Sequence, residues 1–456
     1  MKIKTFLLVI CCTICITTFS QSIDGYWEGS LSIPGGTSLR VGLFISQDDT
    51  LHVEMDSPDQ YVTGILPKSA SFQDSVLSLE VPSLHATFTG KLTAEGVIAG
   101  TFKQGSKLPL TLTRGHERLV ISRPQTPQAP FPYQTEDLVF KSRDGKYNLI
   151  SGTLTYPTDK RPTELYILIS GSGWQDRDEN IFEHRPFAVI ADYLTRHKDA
   201  AVFRYDDFPT FLFSKSTTLD FADGVRLILD SLSARPELAG MPVTLLGHSE
   251  GSIVAFIVGA EDSRVSKIIT LGGVAQTIRE VLNYQIRALA KAEGTLTIEE
   301  INRTAAISDK LYKTVEKAKD REMAAKKVSK TFDKEAAKLT AEEQQRYNMT
   351  PTNKLRVLQE LTSPWFFTFF HLKPQDYISR LRCPVLAING AKDLQVEAEA
   401  NQRLMRQYLP ADQEFSFYLV HNANHLLQPC TTGSSSEYGK IETTILPEVL
   451  QRIAEF

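Results

Sequence analysis

Cysteine is scarce in this chain of 456 residues, and so are long apolar stretches and net charge. Of the five cysteines, only Cys383 and Cys430 lie beyond the first 15 residues. Cys383 opens an apolar strand, whereas Cys430 follows a loop expected at the opposite end of the same sheet. A strand is longer than the ~7 Å Cα separation that a disulfide tolerates. We therefore predict two free thiols.

No apolar stretch reaches the roughly 18 residues that a membrane-spanning helix requires. The apolar residues 6–16 follow Lys2 and Lys4, and Thr18 and Ser20 supply the small side chains of a cleavage site. This pattern predicts a signal peptide over residues 1–20, with export to the periplasm or the extracellular space. The alternative, a short membrane anchor, is disfavoured by the length of the stretch, so we predict no stable membrane anchor.

The charges almost balance, since 50 basic residues face 54 acidic ones and the formal net charge is -4. This balance gives no electrostatic basis for binding nucleic acid or an anionic membrane, so nucleic acid is not a predicted partner. Hydrophobic residues make up 42% of the chain, which is enough for buried cores. The length fits two or three domains.

The pattern of apolar and turn-forming residues changes along the chain. Short alternating runs between glycine, aspartate and serine turns predict a small all-β barrel or sandwich domain over residues 22–115. A proline-rich linker is predicted over residues 116–135. In residues 136–273 and again in 363–456, short apolar strands alternate with amphipathic helices. This alternation predicts an α/β domain, a mostly parallel sheet with helices on both faces, that binds ligands at the carboxyl ends of its strands.

The two α/β segments are separated by residues 274–362, which show helical spacing and dense charge of both signs. One interpretation is a solvated helical appendage or a short coiled coil. The other is a helical lid inserted over the active site. The position of the segment, directly after a predicted strand of the sheet, favours the lid.

The residues most informative about chemistry are Gly247-His248-Ser249-Glu250-Gly251, between an apolar strand and a helix of small residues. A serine lifted clear of a sheet needs a sharp turn, and the positions two before and two after it must be almost free of side chain. Gly247 and Gly251 meet this demand. We predict Ser249 as a nucleophile and the backbone N–H of Glu250 as a donor to the oxyanion.

A serine hydroxyl needs an imidazole base, and the imidazole needs a carboxylate to fix its tautomer. Asp393 lies a few residues beyond a predicted strand and is the candidate carboxylate. His421 and His425 both follow the last strand, and His425 leaves the few residues that a loop needs to curl back over the serine. We therefore favour His425, and the resulting order, serine before aspartate before histidine, is typical of one hydrolase fold.

A second oxyanion donor is expected in the loop that follows the strand at residues 165–169. This loop reads Ser170-Gly171-Ser172-Gly173, so its backbone can approach a substrate closely. We predict the N–H of Ser172 as the donor. The reaction predicted from these residues uses no metal and no organic cofactor.

Together these motifs resemble those of the EstD-type bacterial carboxylesterases, which are α/β-hydrolases often labelled serine aminopeptidase-like. The resemblance spans about residues 136–456. The β domain is similar to one that precedes such enzymes in secreted bacterial proteins. The resemblance implies the α/β-hydrolase fold and the hydrolysis of small carboxylic esters. It is carried by Ser170 to Glu179, Arg204-Tyr205-Asp206-Asp207, the pentapeptide around Ser249, Cys383 to Val396 and Asn424-His425-Leu426.

Four residues of these motifs are candidates for contact with the substrate: Trp174, Arg177, Asp178 and Asp207. The alternative for the charged ones is a structural network of ion pairs at the pocket rim. After Asp207, such enzymes continue with an Arg-Gly turn, whereas this chain has the apolar residues 208–213. This departure predicts an apolar wall near the acyl or alcohol pocket.

Two other functions are compatible with the sequence. An aminopeptidase would need an acidic anchor for the substrate ammonium group, for which Asp178 and Glu179 are candidates. A binding protein would use the β domain to capture a glycan and would carry an inert hydrolase domain. The complete set of Ser249, Asp393 and His425 favours an enzyme over the binding protein.

Overall fold

The computed structural model of the chain describes residues 22–33, 37–141 and 149–456. The described chain forms two compact units, one ending at Ile121 and the other extending from Ser122 to Phe456. The predicted signal peptide lies outside the described residues. Among the helices of the described ranges, none is both long and apolar enough to cross a membrane.

The first unit is an antiparallel β structure. Its described strands are β1 Gly25–Ile33, β2 Thr37–Gln47, β3 Leu51–Ser57, β4 Val62–Ile65, β5 Ser69–Gln73, β6 Val76–Val81, β7 Ala86–Leu92, β8 Ile98–Gln104 and β9 Ser106–Arg114, with short 3-10 helices at Pro58–Gln60 and Pro82–Leu84. They form one sheet in the order β4-β3-β2-β1-β9-β8-β7-β6-β5.

Alternating burial shapes this sheet. In β7, for example, every second side chain is buried, as expected of a strand with one face on a core. The buried faces of the strands meet in a single core that includes Trp27 and Phe88, and β3 and β5 contact each other although they are far apart in the strand order. The sheet is therefore curled around its core, which corresponds to the barrel-like rather than the sandwich alternative.

The second unit alternates strands with helices. Its described strands are β10 Gln134–Phe140, β11 Ile150–Tyr156, β12 Leu165–Ile169, β13 Ala201–Tyr205, β14 Val243–His248, β15 Val265–Leu271, β16 Val385–Gly390 and β17 Phe415–Val420. Its described helices are α1 Pro186–His197, α2 Thr210–Phe213, α3 Thr218–Ser233, α4 Glu250–Gly259, α5 Ile278–Glu293, α6 Ile298–Glu316, α7 Arg321–Ala336, α8 Ala341–Arg346, α9 Pro351–Leu361, α10 Pro364–His371, α11 Pro374–Ile378, α12 Ala398–Tyr408, α13 Ser435–Tyr438 and α14 Pro447–Glu455.

The strands form one sheet in the order β10-β11-β13-β12-β14-β15-β16-β17. β11 pairs antiparallel with both β10 and β13, and the six strands from β12 to β17 are parallel to one another. Along β12, Leu165, Ile167 and Ile169 belong to one apolar core, and Tyr166 and Leu168 belong to another. Because neighbouring side chains of a strand point to opposite faces, both faces of the sheet are covered. The carboxyl ends of the six parallel strands meet at one edge.

Seven helices, α5 to α11, lie between β15 and β16 in the described chain. Several begin at a threonine followed three residues later by a glutamate, and these capping boxes at Thr277, Thr297 and Thr340 satisfy free N–H groups of the first turn. The segment has an apolar core of its own, which includes Phe366 and Phe370 of α10. The boundary predicted at residue 362 falls just before α10, which contributes Phe366 and Phe370 to this core and Phe369 to a core of the sheet.

The second unit begins earlier than the sequence predicted. Arg123 donates hydrogen bonds to the carbonyls of Phe182, Gly439 and Ile441, and Gln125 bonds both the N–H and the carbonyl of Ile445. Residues 122–133 are thus fastened to the second unit by polar side chains. The predicted linker of 116–135 differs from the structure here, because its prolines suit an extended docked segment as well as a free one.

The two cysteines of the described chain are free thiols. Cys383 is buried just before β16, and burial raises its thiol pKa to about 11. Cys430 lies half-buried in the loop after β17, where burial also raises the pKa. Neither thiol is therefore a reactive thiolate at neutral pH.

Candidate active site

The turn between β14 and α4 holds Ser249, the predicted nucleophile. Its backbone has φ 51° and ψ -117°, and non-glycine residues rarely adopt such a positive φ. The strained turn is held by a hydrogen bond of 2.9 Å from the N–H of Ser249 to the carbonyl of Leu271. A second bond, of 3.0 Å, runs from the N–H of Ser252 to the carbonyl of Ser249. The backbone is thus fixed on both sides of the serine.

The glycines that flank this turn are required by close backbone contacts. A Cβ atom on Gly247 would collide with the backbone of Gly251, and one on Gly251 would collide with the carbonyl of Ile169 in β12. Side chains at these two positions would push the turn away from the sheet. The structure thereby accounts for the glycine spacing of the sequence motif.

Asp393 and His425 meet in the loops after β16 and β17. The Nδ1 atom of His425 lies 2.7 Å from Oδ2 of Asp393. The other carboxylate oxygen, Oδ1, accepts the N–H groups of Gln395 at 2.8 Å and Val396 at 2.9 Å. Since a carboxylate only accepts hydrogen bonds, Nδ1 carries the proton and Nε2 is left as the basic nitrogen. Both side chains are buried.

Gly272, the residue after β15, leaves the room that His425 needs. Its φ is +57°, and a Cβ atom there would lie 2.9 Å from ring atoms of His425 and 3.5 Å from Asp393. Any side chain at this position would displace the imidazole. The sequence analysis did not single out this glycine, although a glycine directly after a central strand is a recognisable signal of close approach.

A cavity of about 240 Å³ opens at this edge of the sheet. Ser249, His425, Ser172 and Glu250 all line it. Asp393 does not line it and reaches it through His425. The insertion helices α5 and α10 supply an apolar wall, formed by Ile278, Val281, Leu282, Trp365, Phe366 and Phe369. A second group of lining residues is polar and uncharged, namely Gln175, Gln285, Gln395 and Tyr438.

The two predicted oxyanion donors lie on neighbouring segments. Glu250 is the first residue of α4, so its N–H has no acceptor within the helix. The hydroxyl of Ser172 donates a hydrogen bond of 2.8 Å to Oε2 of Glu250, which joins the loop after β12 to the start of α4. The N–H of Gly171 is already used, since it donates to Oε1 of Glu179 at 2.7 Å.

The carboxylate of Glu250 has a part that the sequence analysis missed. Besides Ser172, it accepts hydrogen bonds from the hydroxyl of Thr218 at 2.7 Å and from the indole N–H of Trp365 at 2.9 Å. Burial raises its pKa, and these three hydrogen bonds act in the opposite direction. One acidic side chain therefore ties the loop after β12, helix α3 and insertion helix α10 to the turn of Ser249.

Glu179 and His248 form a second buried pair that the sequence analysis did not connect. Nδ1 of His248 lies 2.8 Å from Oε1 of Glu179, and Nε2 lies 3.2 Å from the backbone carbonyl of His425. Both residues line the cavity. They lie 69 positions apart in the chain, so no local pattern announces their contact.

None of the four candidates for substrate contact lines the cavity. Arg177 bonds Asp206, at 2.6 Å between Nη2 and Oδ2, and Asp178 pairs with Arg204. These contacts favour the structural alternative, a network of ion pairs beside the site. The physical reason is that the charges are neutralised by one another and leave no side chain directed to a ligand.

Trp174 and Asp207 also bond elsewhere. The indole of Trp174 is 51% exposed and donates to the carbonyl of Phe208 at 3.2 Å. Asp207 accepts the N–H of Gln175 at 2.7 Å and the hydroxyl of Ser170 at 3.3 Å, and burial raises its pKa to about 7. The two residues support the loop after β12 rather than a ligand.

The predicted apolar wall of residues 208–213 does not line the cavity either. Phe208 is buried and packs against Phe221 of α3, with ring centroids 5.8 Å apart. The apolar wall comes instead from α5 and α10, because the insertion and not the segment after Asp207 lines the cavity together with Ser249.

The insertion is bonded to the loops that carry the site. The hydroxyl of Tyr284 in α5 donates to the backbone carbonyl of Asp393 at 2.8 Å, and the amide of Gln285 donates to Gln395 at 3.3 Å. The indole of Trp365 in α10 donates a hydrogen bond to Glu250.

Within the described residues, no three histidine, cysteine, aspartate or glutamate side chains converge as a set of metal ligands.

Comparison with known proteins agrees with the motifs. No family model matches the chain. Among curated proteins, the chain is similar to Esterase EstD of Thermotoga maritima, with 23% identity over 307 residues. The match covers 65% of this chain and 63% of that esterase, so the chain spans less than two thirds of its relative. The predicted resemblance to EstD-type esterases is confirmed.

Solved structures also match the chain at low identity. Est1E from Butyrivibrio proteoclasticus is 14% identical, with a TM-score of 0.39 over 70% of this chain and 96% of that chain. A dienelactone hydrolase from Anabaena variabilis is 13% identical, with a TM-score of 0.38 over 71% of this chain and 94% of that chain.

Proposed function

We propose that the protein is a serine hydrolase that cleaves small carboxylic esters through an acyl-enzyme. The observation that carries the proposal is the combination of Ser249 on a strained, glycine-flanked turn with a buried Asp393–His425 pair, where Ser249 and His425 line one cavity. A hydroxyl, an imidazole with a free Nε2 and an anchored carboxylate are the groups that nucleophilic ester hydrolysis needs.

In the proposed reaction, the hydroxyl oxygen of Ser249 forms a bond to the ester carbonyl carbon while Nε2 of His425 takes the hydroxyl proton. The carbonyl π electrons move to the oxygen, and the N–H groups of Ser172 and Glu250 stabilise the resulting anion. The tetrahedral intermediate then expels the alcohol, which takes the proton from His425. Water then attacks the acyl carbonyl carbon while Nε2 of His425 takes a proton from it. The second tetrahedral intermediate expels the oxygen of Ser249, which takes the proton from His425, and the carboxylic acid leaves. Asp393 holds the imidazole in the tautomer that can accept the proton.

The cavity favours a small and uncharged acyl group. Its volume of about 240 Å³ lies below the roughly 300–1,000 Å³ of sites for drug-sized ligands. Among the described lining residues there is no lysine or arginine that would pair with an anionic substrate. Helices α5 and α10 act as a lid in this proposal, because they supply the apolar wall and exclude water from the reacting groups.

The remaining parts of the chain are assigned by sequence. Residues 1–20 direct export, as the pattern of Lys2, Lys4 and the apolar stretch predicts. The curled β unit is an accessory domain whose removal should leave the chemistry of the second unit intact. An ester panel measured with the full chain and with a chain beginning at Ser122 tests that division.

The test of the proposed function is Ser249→Ala. We expect the turnover of p-nitrophenyl acetate and butyrate to fall by at least about 10³-fold, since no other group supplies the nucleophile. A fluorophosphonate probe should label the wild-type protein at Ser249 and leave the variant unlabelled. Turnover retained in the variant would show that another residue is the nucleophile. A folded wild-type protein that the probe does not label would favour the inert, glycan-binding alternative.

An aminopeptidase remains the second candidate because one cavity carboxylate has no cationic partner. Of the anchors expected from sequence, Asp178 pairs with Arg204 and Glu179 pairs with His248. Glu250 instead accepts hydrogen bonds from neutral groups. A substrate ammonium group would have to pair with Glu250. Hydrolysis of aminoacyl anilides faster than acyl esters would establish the peptidase, and the reverse preference would exclude it.

A further inference from the structure

The contact between Glu179 and His248 links three segments of the site. Oε1 of Glu179 accepts the N–H of Gly171, next to the predicted oxyanion donor Ser172, at 2.7 Å and contacts Nδ1 of His248 at 2.8 Å. Nε2 of His248 in turn contacts the backbone carbonyl of His425 at 3.2 Å. The oxyanion loop, the end of β14 and the loop of the catalytic base are therefore joined through two side chains.

The partners of His248 determine its protonation state. A backbone carbonyl only accepts hydrogen bonds, so Nε2 must carry a proton. Oε1 of Glu179 already accepts a hydrogen bond from the N–H of Gly171. Because imidazole is a stronger base than a carboxylate, the proton shared by Oε1 and Nδ1 belongs to Nδ1, so Nδ1 must carry a proton as well. An imidazole with protons on both nitrogens is a cation. The side chain of His248 is 8% exposed and that of Glu179 is 2% exposed, so the pair is shielded from water and from salt.

The surroundings of His248 support the charged form. Although burial disfavours the cation, the anionic Glu179, the carbonyl of His425 and the more distant Asp393 together raise the pKa of His248 above its ordinary value of 6.5. The other titratable group facing it is the ring of His425, whose centroid lies 4.8 Å away. The adjacent Glu250 bonds other partners.

We propose that Glu179 and His248 are positioning residues of this site and form a buried ion pair that fixes the distance between the oxyanion loop and the loop of His425. The proposal deepens the proposed function and rests on it for its effect on catalysis. Removal of a proton from His248 would break one of its two hydrogen bonds and loosen the loop that it holds. Turnover should therefore fall on the alkaline side of the pH profile, as pH rises through the raised pKa of His248.

The strain of the loop indicates that the pair is needed. Glu179 has a positive φ of 53°, and Phe182 and Glu183, with φ 52° and 63°, share this conformation. Non-glycine residues held in such a backbone cost free energy that the surrounding contacts must offset. The bonds from Glu179 to Gly171 and His248 are contacts of this kind.

The first experiment measures the ion pair itself and needs no enzymatic activity. The full chain is labelled with ¹⁵N-histidine, and His248 is assigned as the signal that His248→Gln lacks. We expect both ring nitrogens of His248 to remain protonated at pH 7.5. A signal with one unprotonated nitrogen at that pH would overturn the proposal, whether or not the protein hydrolyses esters.

The second experiment measures positioning in Glu179→Gln, which keeps the hydrogen-bonding shape and removes the charge. We expect kcat to fall about 10-fold or more with little change in KM, and the alkaline fall to move to lower pH by about one pH unit. An unchanged pH profile would contradict the proposal. If the variant does not fold, the nitrogen signals of the wild-type chain decide alone.

Glu164→Gln is the matched control, since Glu164 is also a buried, paired carboxylate but lies at the opposite end of β12. It should lose stability and keep the pH profile of the wild type. Equal shifts of the profile in both variants would show a general effect of lost charge and would overturn the positioning role. Labelling of Ser249 by a fluorophosphonate probe in the same samples shows separately whether the proposed function itself holds.

Discussion

The buried acidic side chains near the two ends of strand β12 have different kinds of partner. At its amino end, Glu164 pairs with Lys198 at 3.3 Å and Lys267 at 3.1 Å and accepts a hydrogen bond from Thr244, and these groups lower its pKa despite its burial. At its carboxyl end, the described contacts of Glu179, Glu250 and Asp207 include no lysine or arginine. Burial there raises the pKa of Glu250 and of Asp207.

The acidic side chain at the amino end therefore contributes to stability, whereas those at the carboxyl end belong to the candidate site. A carboxylate between two lysines, such as that of Glu164, is charged at neutral pH and acts as a structural contact. Without a cationic partner, the buried carboxylates of Glu250 and Asp207 have raised pKa values, as is common at functional sites. The site edge of the sheet thus keeps electrostatic interactions that proton transfer can change, and the other edge keeps those that it cannot.

The largest expected effect is at the carboxyl edge, in Asp393→Asn. An amide can donate a hydrogen bond to Nδ1 of His425, which would place the imidazole proton on Nε2 and block its proposed role as a base. We expect kcat for p-nitrophenyl butyrate to fall by about 10³–10⁴-fold. The exposed Asp412 provides the control, since Asp412→Asn should leave kcat unchanged. Full turnover in Asp393→Asn would remove this residue from the site.

A smaller effect is expected where only space is at stake, in Gly272→Ala. The added methyl group would lie 2.9 Å from the ring of His425, so we expect a loss of kcat of about 10–100-fold. Gly240 provides the matched control because its φ of +74° is also left-handed, nothing lies within 4 Å of its Cβ position, and it precedes β14 at the amino edge. Gly240→Ala should cost about 1 kcal/mol of stability and no activity. Equal activities of the two variants would contradict the crowding of His425.

The amino edge should respond in stability alone. Because the pKa of Glu164 is lowered in the folded protein, its charge stabilises the fold above the pKa of the unfolded chain, and this contribution is lost as pH falls through the folded pKa. In urea unfolding at pH 7, Glu164→Gln should be less stable by about 2 kcal/mol, with the difference shrinking below about pH 4. A loss of ester turnover in the folded variant would show that the two edges are coupled.

The smallest effect concerns Asp207, which should show the opposite sign. Its pKa rises from 3.8 to about 7 on folding. As pH rises, the unfolded chain therefore loses this proton at a lower pH than the folded protein does. The stability of the wild type falls between about pH 4 and about pH 7 as a result. Asp207→Asn removes this penalty and can keep both hydrogen bonds, because the hydroxyl of Ser170 can accept from the amide. We expect the variant to be about 1–2 kcal/mol more stable at pH 8. Parallel pH dependences of the two proteins would refute the raised pKa.

Local patterns in the sequence were sufficient to predict features that depend on one strand or helix and the residues next to it. The elbow around Ser249 follows from its glycines and from the strand and helix beside them, and Asp393 and His425 follow from their positions after strands of a parallel sheet. The alternation of short apolar strands with helices was enough to predict a mostly parallel sheet, but it did not predict the order of the strands. Each of these inferences uses neighbours in the chain, which a sequence displays directly.

Contacts between distant segments could not be inferred in this way. Trp365 and Glu250 are 115 positions apart. The aromatic residues of α10 divide between the core of the insertion and a core of the sheet, which the sequence did not predict. The partners of Arg177 and Asp178 depend on the folding of an irregular loop with left-handed residues. A charged side chain in a motif looks the same whether it faces a ligand or an ion-pair partner, and only the folded arrangement distinguishes the two.

The attachment of Arg123 and Gln125 has a practical consequence for dividing the protein. A shortened version beginning at Glu136, where the sequence places the end of the linker, would strip hydrogen-bond donors from the carbonyls of Phe182, Gly439 and Ile441. Those carbonyls belong to the segments that also carry Ile181 and Tyr438 to the cavity. A version that starts at Ser122 keeps the donors, so the safer place to cut lies fourteen residues upstream of the one that composition suggests.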